Sequence, residues 1–172
     1  MNTPAPTKVA LVTTLAVSAA AVAAFLLSSS EERMEPRWAG WFLLLFGALF
    51  AIRVAGQVLV VLLAPSWLPP MVEWNLVPYR LLLPIQLAFL VAMAWLVTDF
   101  LRGSGRATEP AVGFGRFVLA LSAVYAAAMA VRYAVRMQRR PGERWFGGAI
   151  PIVFHWILAG FLFVFGTYHA SY

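Results

Sequence analysis

The sequence predicts an all-α integral membrane protein: a bundle of five transmembrane helices with short loops, forming a single transmembrane domain over residues 1–172. Two observations carry the prediction. The chain is 62% hydrophobic and only 12% charged, with a mean hydropathy of +0.81, whereas soluble domains average about 25% charged residues. Its apolar residues also gather into five runs, each near the roughly 20 residues that a helix needs to cross about 30 Å of hydrocarbon. Five such spans and their connections use nearly the whole sequence, leaving no room for a separate soluble domain.

The first run, 9–27, follows a short polar start bearing Lys8 and resembles a secretory signal in outline. It is longer than the roughly 7 to 15 residues of a signal core, so a retained helix is expected. The second, 38–64, opens on Trp38 and Trp41, residues suited to the headgroup level, and stops at Pro65. The third, 78–97, carries Pro84 in its interior, which predicts a bend near its start. The fourth covers 112–135, and the fifth covers 148–168 with Pro151 in its first turn. Helices associate in lipid through close packing of small residues. Three rows have the spacing for it and are expected to form buried seams: Ala16, Ala20 and Ala24; Gly47, Ala51 and Ala55; Ala126, Ala130 and Ala134. The sequence contains no internal repeat of the kind that marks inverted-repeat transporters.

Five spans divide the connections between two sides. Side A receives the start of the chain and segments 65–77 and 136–146; side B receives 28–37, 100–111 and the end of the chain. Side A holds Lys8, Arg80, Arg136, Arg139, Arg140 and Arg144, and side B holds Arg33, Arg37, Arg102, Arg106 and Arg116. The concentration of arginine after the fourth span favours side A, and with it the N-terminus, as cytoplasmic. The net charge of +6 is spread over the ends of apolar runs, an arrangement suited to lipid headgroups rather than to nucleic acid. One Lys, Lys8, against twelve Arg is the usage of a GC-rich bacterial genome and so points to a bacterial inner membrane.

Polar residues inside the spans hold the functional content, because a charge at the centre of a span costs roughly 2.5 to 3.5 kcal/mol on insertion scales. Arg53 is such a charge. No Asp or Glu falls inside any run, while Gln57 follows Arg53 by four residues and shares its face. At about 1.5 Å per residue from side A, Gln57 lies roughly 10 Å deep, Arg53 roughly 16, Gln86 roughly 12, Tyr125 roughly 15 and His155 roughly 10. Arg132 shares a face with Tyr125, nearer the side A surface. The expectation is a ligand-binding pocket formed by Arg53, Gln57, Gln86, Tyr125, Arg132 and His155, suited to an anionic or carbonyl-bearing ligand because arginine offers five donors and no acceptor. The proline-rich, aromatic segment 65–78 is too broken to span. It is expected at the interface, where Glu73 and Trp74 would form a lid over the pocket.

Other chemistry is less well provided for. With no Cys, the chain cannot form disulfides, thiolate nucleophiles or Cys-ligated metal centres. His155 and His169, 14 residues apart on the fifth span, point the same way about 21 Å apart, a spacing that suits two haem b groups. A second such helix is missing, so haem ranks last among the readings, with an interior His155 and an interfacial His169 preferred. No paired carboxylates, metal cluster or nucleophile beside a base is visible, and Gly103-Ser-Gly-Arg106 reads as a flexible turn. The leading expectation is a non-catalytic polytopic membrane protein without a cofactor, an accessory or assembly subunit contacting membrane lipids and other membrane subunits or copies of itself. It would carry a polar intramembrane pocket for a lipid, quinone or small anionic ligand. The alternatives are a small transporter or channel, a membrane-embedded lipid or isoprenoid enzyme using His155 and Tyr125, and a haem-binding electron-transfer subunit using His155 and His169.

Overall fold

A computed structural model describes residues 5–28, 34–66, 68, 79–139 and 149–172. Five helices run α1 Ala5–Ser28, α2 Pro36–Leu63, α3 Tyr79–Arg102, α4 Val112–Arg139 and α5 Ala149–Ala170, with a single 3-10 turn at Arg106–Thr108 between α3 and α4. All five are long and apolar enough to cross a membrane, as expected for a multi-pass protein. Three of them, α1, α3 and α4, extend four or five residues beyond the apolar runs at one end. A run ends at its first charged residue, but a helix continues through the interface, where charged side chains are solvated. α2 begins with Pro36 in its first turn and ends where Ala64, at φ 41°, closes the helix against the Val60 carbonyl ahead of Pro65. A residue preceding proline is disfavoured in the α region, so the stop is local in origin.

Among the described residues α5 is the most buried of the spans and is the axis of the bundle. It packs against α1, α2 and α4, while α3 lies outside, against α2. The larger core cluster includes Phe25, Leu43, Phe46, Phe100, Ile157, Phe161, Val164 and Tyr168. Most of these lie towards side B, and aromatic edges lock them together: Phe25 meets Phe42 with centroids 5.2 Å apart, and Phe100 meets Tyr168 at 4.7 Å. Towards side A, among the described residues, lies a smaller cluster formed by Leu11, Val60, Ala149, Ile150 and Val153.

The close seams are not the alanine rows. Ala16, Ala20, Ala24, Ala130 and Ala134 are exposed on the outside of the bundle, Ala126 is half-buried, and Gly47, Ala51 and Ala55 line open grooves. Backbones approach instead at glycines. A Cβ on Gly115 would lie 2.6 Å from the Ala170 nitrogen, one on Gly160 would lie 2.5 Å from the Phe46 ring, and one on Gly40 would lie 3.1 Å from the Leu101 nitrogen. Spacing identifies small residues but not which face meets a neighbour, and α1 turns its alanine face to lipid because Leu11, Ala21 and Phe25 occupy the opposite one.

The Gly103–Arg106 turn is also better defined than its composition predicts. Gly103 and Gly105 have φ of +69° and +131°, and a Cβ on Gly105 would fall 2.4 Å from the Asp99 carboxylate. That carboxylate accepts a hydrogen bond from the Ala107 N–H at 3.2 Å, and Tyr168 Oη donates to the Thr108 carbonyl at 2.8 Å. Tyr172 Oη reaches the Met34 carbonyl at 3.1 Å. These bonds fold the α3–α4 connection and the last residues over the side B end.

Candidate functional site

Antiparallel packing of α2 on α5 places Arg53 beside Phe154, with the guanidinium carbon 5.6 Å from the ring centroid. Arg53 is only 5% exposed, and its Nη1 donates to Gln57 Oε1 at 2.7 Å. The side chain therefore runs along its own helix towards side A, where a carbonyl dipole and an aromatic face are two of its contacts. An amide oxygen and an aromatic face both stabilise a protonated guanidinium.

Gln57 is fully buried, and its Nε2 has no hydrogen-bond partner among the described residues; the same is true of Oε1 of Gln86, 5% exposed on α3. On the other side of α5, His155 and Tyr125 are ring neighbours with centroids 5.6 Å apart, and Nδ1 of His155 is hydrogen-bonded to the Pro151 carbonyl. Arg53 and Arg132 both lie within electrostatic range of His155, and Arg132 within range of Tyr125. The helix register fixes the depths. Phe46 against Gly160, Ser122 Oγ on the Ala159 carbonyl, Trp156 Nε1 on the Ala126 carbonyl and Gly40 against Leu101 align α2, α4 and α3 with α5. Counting from these contacts, all six residues fall within a slab about 12 Å thick in the side A half. Arg53 and Gln57 form one bonded pair and Tyr125 and His155 a ring pair on the other side of α5, whereas Arg132 and Gln86 share their depth.

Two features of this region escaped the sequence. Arg53 forms part of the wall of an apolar cavity of about 470 Å³ between α1, α2 and α5, with Thr7, Thr14, Leu59 and Phe154. A second crevice of about 290 Å³, lined by Val12, Tyr133, Val153 and Trp156, opens between α1, α4 and α5. Leu11 lines both. Thr7 and Thr14 sit seven residues apart on one face of α1, a spacing that could have drawn attention to them, but nothing in the sequence pairs α1 with α2. Glu73 and Trp74, expected as a lid, lie outside the described residues.

His169 lies one residue from the side B end of α5 and is enclosed by the bundle. It is 3% exposed and ringed by Phe165 at 4.5 Å, Tyr168 at 5.1 Å, Phe100 at 6.2 Å and Phe114 at 6.3 Å between centroids, with the Gly115 backbone against its Cβ. A porphyrin needs an open face at the ligating nitrogen, and this enclosure offers none, so the histidine pair does not fit two haems. The described residues hold no group of three or more His, Asp or Glu placed to bind a metal ion. No protein-family model matches the chain, and no curated protein or solved structure is significantly similar to it, so any functional reading rests on this geometry.

Proposed function

We propose that this is a non-catalytic membrane protein that binds an amphiphile with an anionic or carbonyl-bearing head in the side A half of its bundle, and that it serves as an accessory subunit of a larger membrane complex. One observation carries the reading: a buried arginine forms part of the wall of a cavity that is otherwise almost wholly apolar and large enough for a ligand. Ligand sites are typically apolar clefts of about 300–1,000 Å³ with a few convergent polar groups that fix orientation. Arg53 supplies charge-assisted donors at the cavity wall, while Gln57 and Gln86, which do not line it, keep a donor and an acceptor unspent among the described residues nearby. The working location is a bacterial inner membrane with side A cytoplasmic. Among the described residues, transport lacks broken helices in corresponding positions. Acid–base catalysis would draw on the Tyr125–His155 neighbours, but the Pro151 carbonyl already engages His155 Nδ1.

The test is gentle solubilisation from membranes followed by mass spectrometry of the lipids, quinones and proteins that copurify. A lipid-class molecule retained by the wild type and lost from Arg53→Leu is the expected result. Equal retention by both, or a protein free of any amphiphile, would overturn the binding reading. Absence of any reproducible protein partner would overturn the subunit reading.

A further inference from the structure

Arg132 differs from Arg53 in how it is held: no hydrogen bond or ion pair joins it to another described residue. It is half-buried within the α4 span, and Tyr125 and His155 both lie within its electrostatic range. Side chains lean towards the N-terminus of their helix. For α4 that is the side B end, so Arg132 is directed into the membrane, towards Tyr125 seven residues earlier on the same face, and away from headgroup level. The groups it meets there are also underused. Tyr125 Oη makes no hydrogen bond to a described residue, and His155, whose Nδ1 donates to the Pro151 carbonyl, presents Nε2 as an acceptor. One acceptor does not saturate a guanidinium with five N–H donors.

The flank of α4 that carries Arg132 has no helix over it. α3 packs on α2 and forms no comparable seam with α4, and on the Arg132 face Phe117, Leu121 and Ala128 are all exposed. Lipid satisfies the apolar part of that face. A phosphate stays at the membrane surface, whereas a charge directed inwards pairs with another polar group at its own depth. This chain cannot supply that group to a second copy of itself as a carboxylate: the acid of its described spans, Asp99, lies at the side B end of α3 and is bonded to Ala107.

We propose that this flank of α4 docks a transmembrane helix of a different protein, and that the helix carries an Asp or Glu in its side A half whose carboxylate accepts from the Arg132 guanidinium and from Tyr125 Oη. The inference rests on the subunit reading above and adds the docking face and the chemistry of the partner. A guanidinium–carboxylate pair is charge-assisted and directional, and Ala128, one turn before Arg132, lets the partner backbone come close.

The experiment titrates the full chain, in phosphatidylcholine bicelles, with synthetic single-span leucine–alanine helices carrying Glu, Gln or Leu one turn inside the hydrocarbon, and reads association by energy transfer. The wild type is expected to bind the Glu helix about tenfold more tightly than the Leu helix, the effect of one charge-assisted contact. Arg132→Leu should erase that preference, and Ala128→Trp should weaken all three helices by blocking the face. Arg132→Glu should transfer the preference to a helix carrying Lys, a gain of binding that misfolding cannot produce. A Glu preference that is absent from the wild type, or that survives Arg132→Leu, overturns the carboxylate. Unchanged binding by Ala128→Trp overturns the face. Loss of the Glu preference when phosphatidylglycerol replaces phosphatidylcholine assigns Arg132 to a headgroup and overturns the proposal as well. In native membranes, a protein partner that copurifies equally with wild type and Arg132→Leu overturns this site and leaves the subunit reading standing, whereas absence of any partner overturns both.

Discussion

At the scale of single residues, the decisive interaction is the bond from Arg53 to Gln57, because it determines how a guanidinium is held inside an apolar bundle. Breaking one partner of a buried charged pair is costlier than removing both, since the survivor keeps its desolvation penalty. Gln57→Leu is therefore expected to destabilise the fold by about 2 kcal/mol, in the range for hydrogen bonds to charged groups. The double variant Arg53→Leu/Gln57→Leu should recover part of that loss. Reversible unfolding in mixed micelles, analysed as a double-mutant cycle, measures both values, and additivity of the two single variants would contradict the coupling. Thr7 belongs to the same scale: Thr7→Val keeps shape and removes a hydroxyl that no described residue uses, so it should leave stability unchanged.

At the scale of elements, the seams that hold helices together are glycine contacts, and two outward-facing rows of small residues are spectators. Gly160→Ala places a methyl 2.5 Å from the Phe46 ring and Gly115→Ala places one 2.6 Å from the Ala170 nitrogen, and neither neighbour can yield without shifting a helix. Each is expected to cost about 1–3 kcal/mol, the range for overpacking a core. Gly47→Ala meets nothing within 4 Å, and Ala20→Leu sits on the lipid face of α1; both are expected to fall within about 0.5 kcal/mol of wild type. Thermal denaturation of the four variants gives the comparison, and a large loss for Ala20→Leu would show that α1 has a partner on that face. The Asp99–Ala107 and Tyr168–Thr108 bonds make the α3–α4 connection an element in its own right. Tyr168→Phe should raise hydrogen exchange in that connection without changing exchange in α2.

At the scale of the whole molecule, the bundle is polarised. Its side B half carries most of the aromatic core and a loop tied down by side chains, while its side A half carries the buried polar layer and two crevices around α1. Five spans also require that the two ends of α4 face opposite aqueous phases. The chain has no Cys, so Ser104→Cys and Arg139→Cys, both exposed, can be labelled singly with a membrane-impermeant thiol reagent in intact cells. Only Ser104→Cys is expected to react from outside if side A is cytoplasmic. Labelling of both from one side would contradict the five-span topology.

The number and order of the spans were legible in the sequence because the hydrophobic cost of exposing apolar runs depends on composition and length, which are local properties. The depths of Arg53, Gln57, Gln86, Tyr125 and His155 were legible for the same reason: helical rise is constant, and a polar residue in an apolar run stands out. Contact between helices was not, since the alanine rows of α1 and α4 have the same spacing as a seam and only the competing faces, Leu11 and Phe25 on one helix and Gly115 and Ser122 on the other, decide which side turns inward. The cavity beside Arg53, the partition at Leu11 and the aromatic enclosure of His169 each combine residues from three or more elements. The sequence by itself determined that this is a five-span membrane protein with a polar layer. Only the tertiary structure decided where that layer meets open space, because packing depends on which helices are neighbours, and no single helix encodes its neighbours.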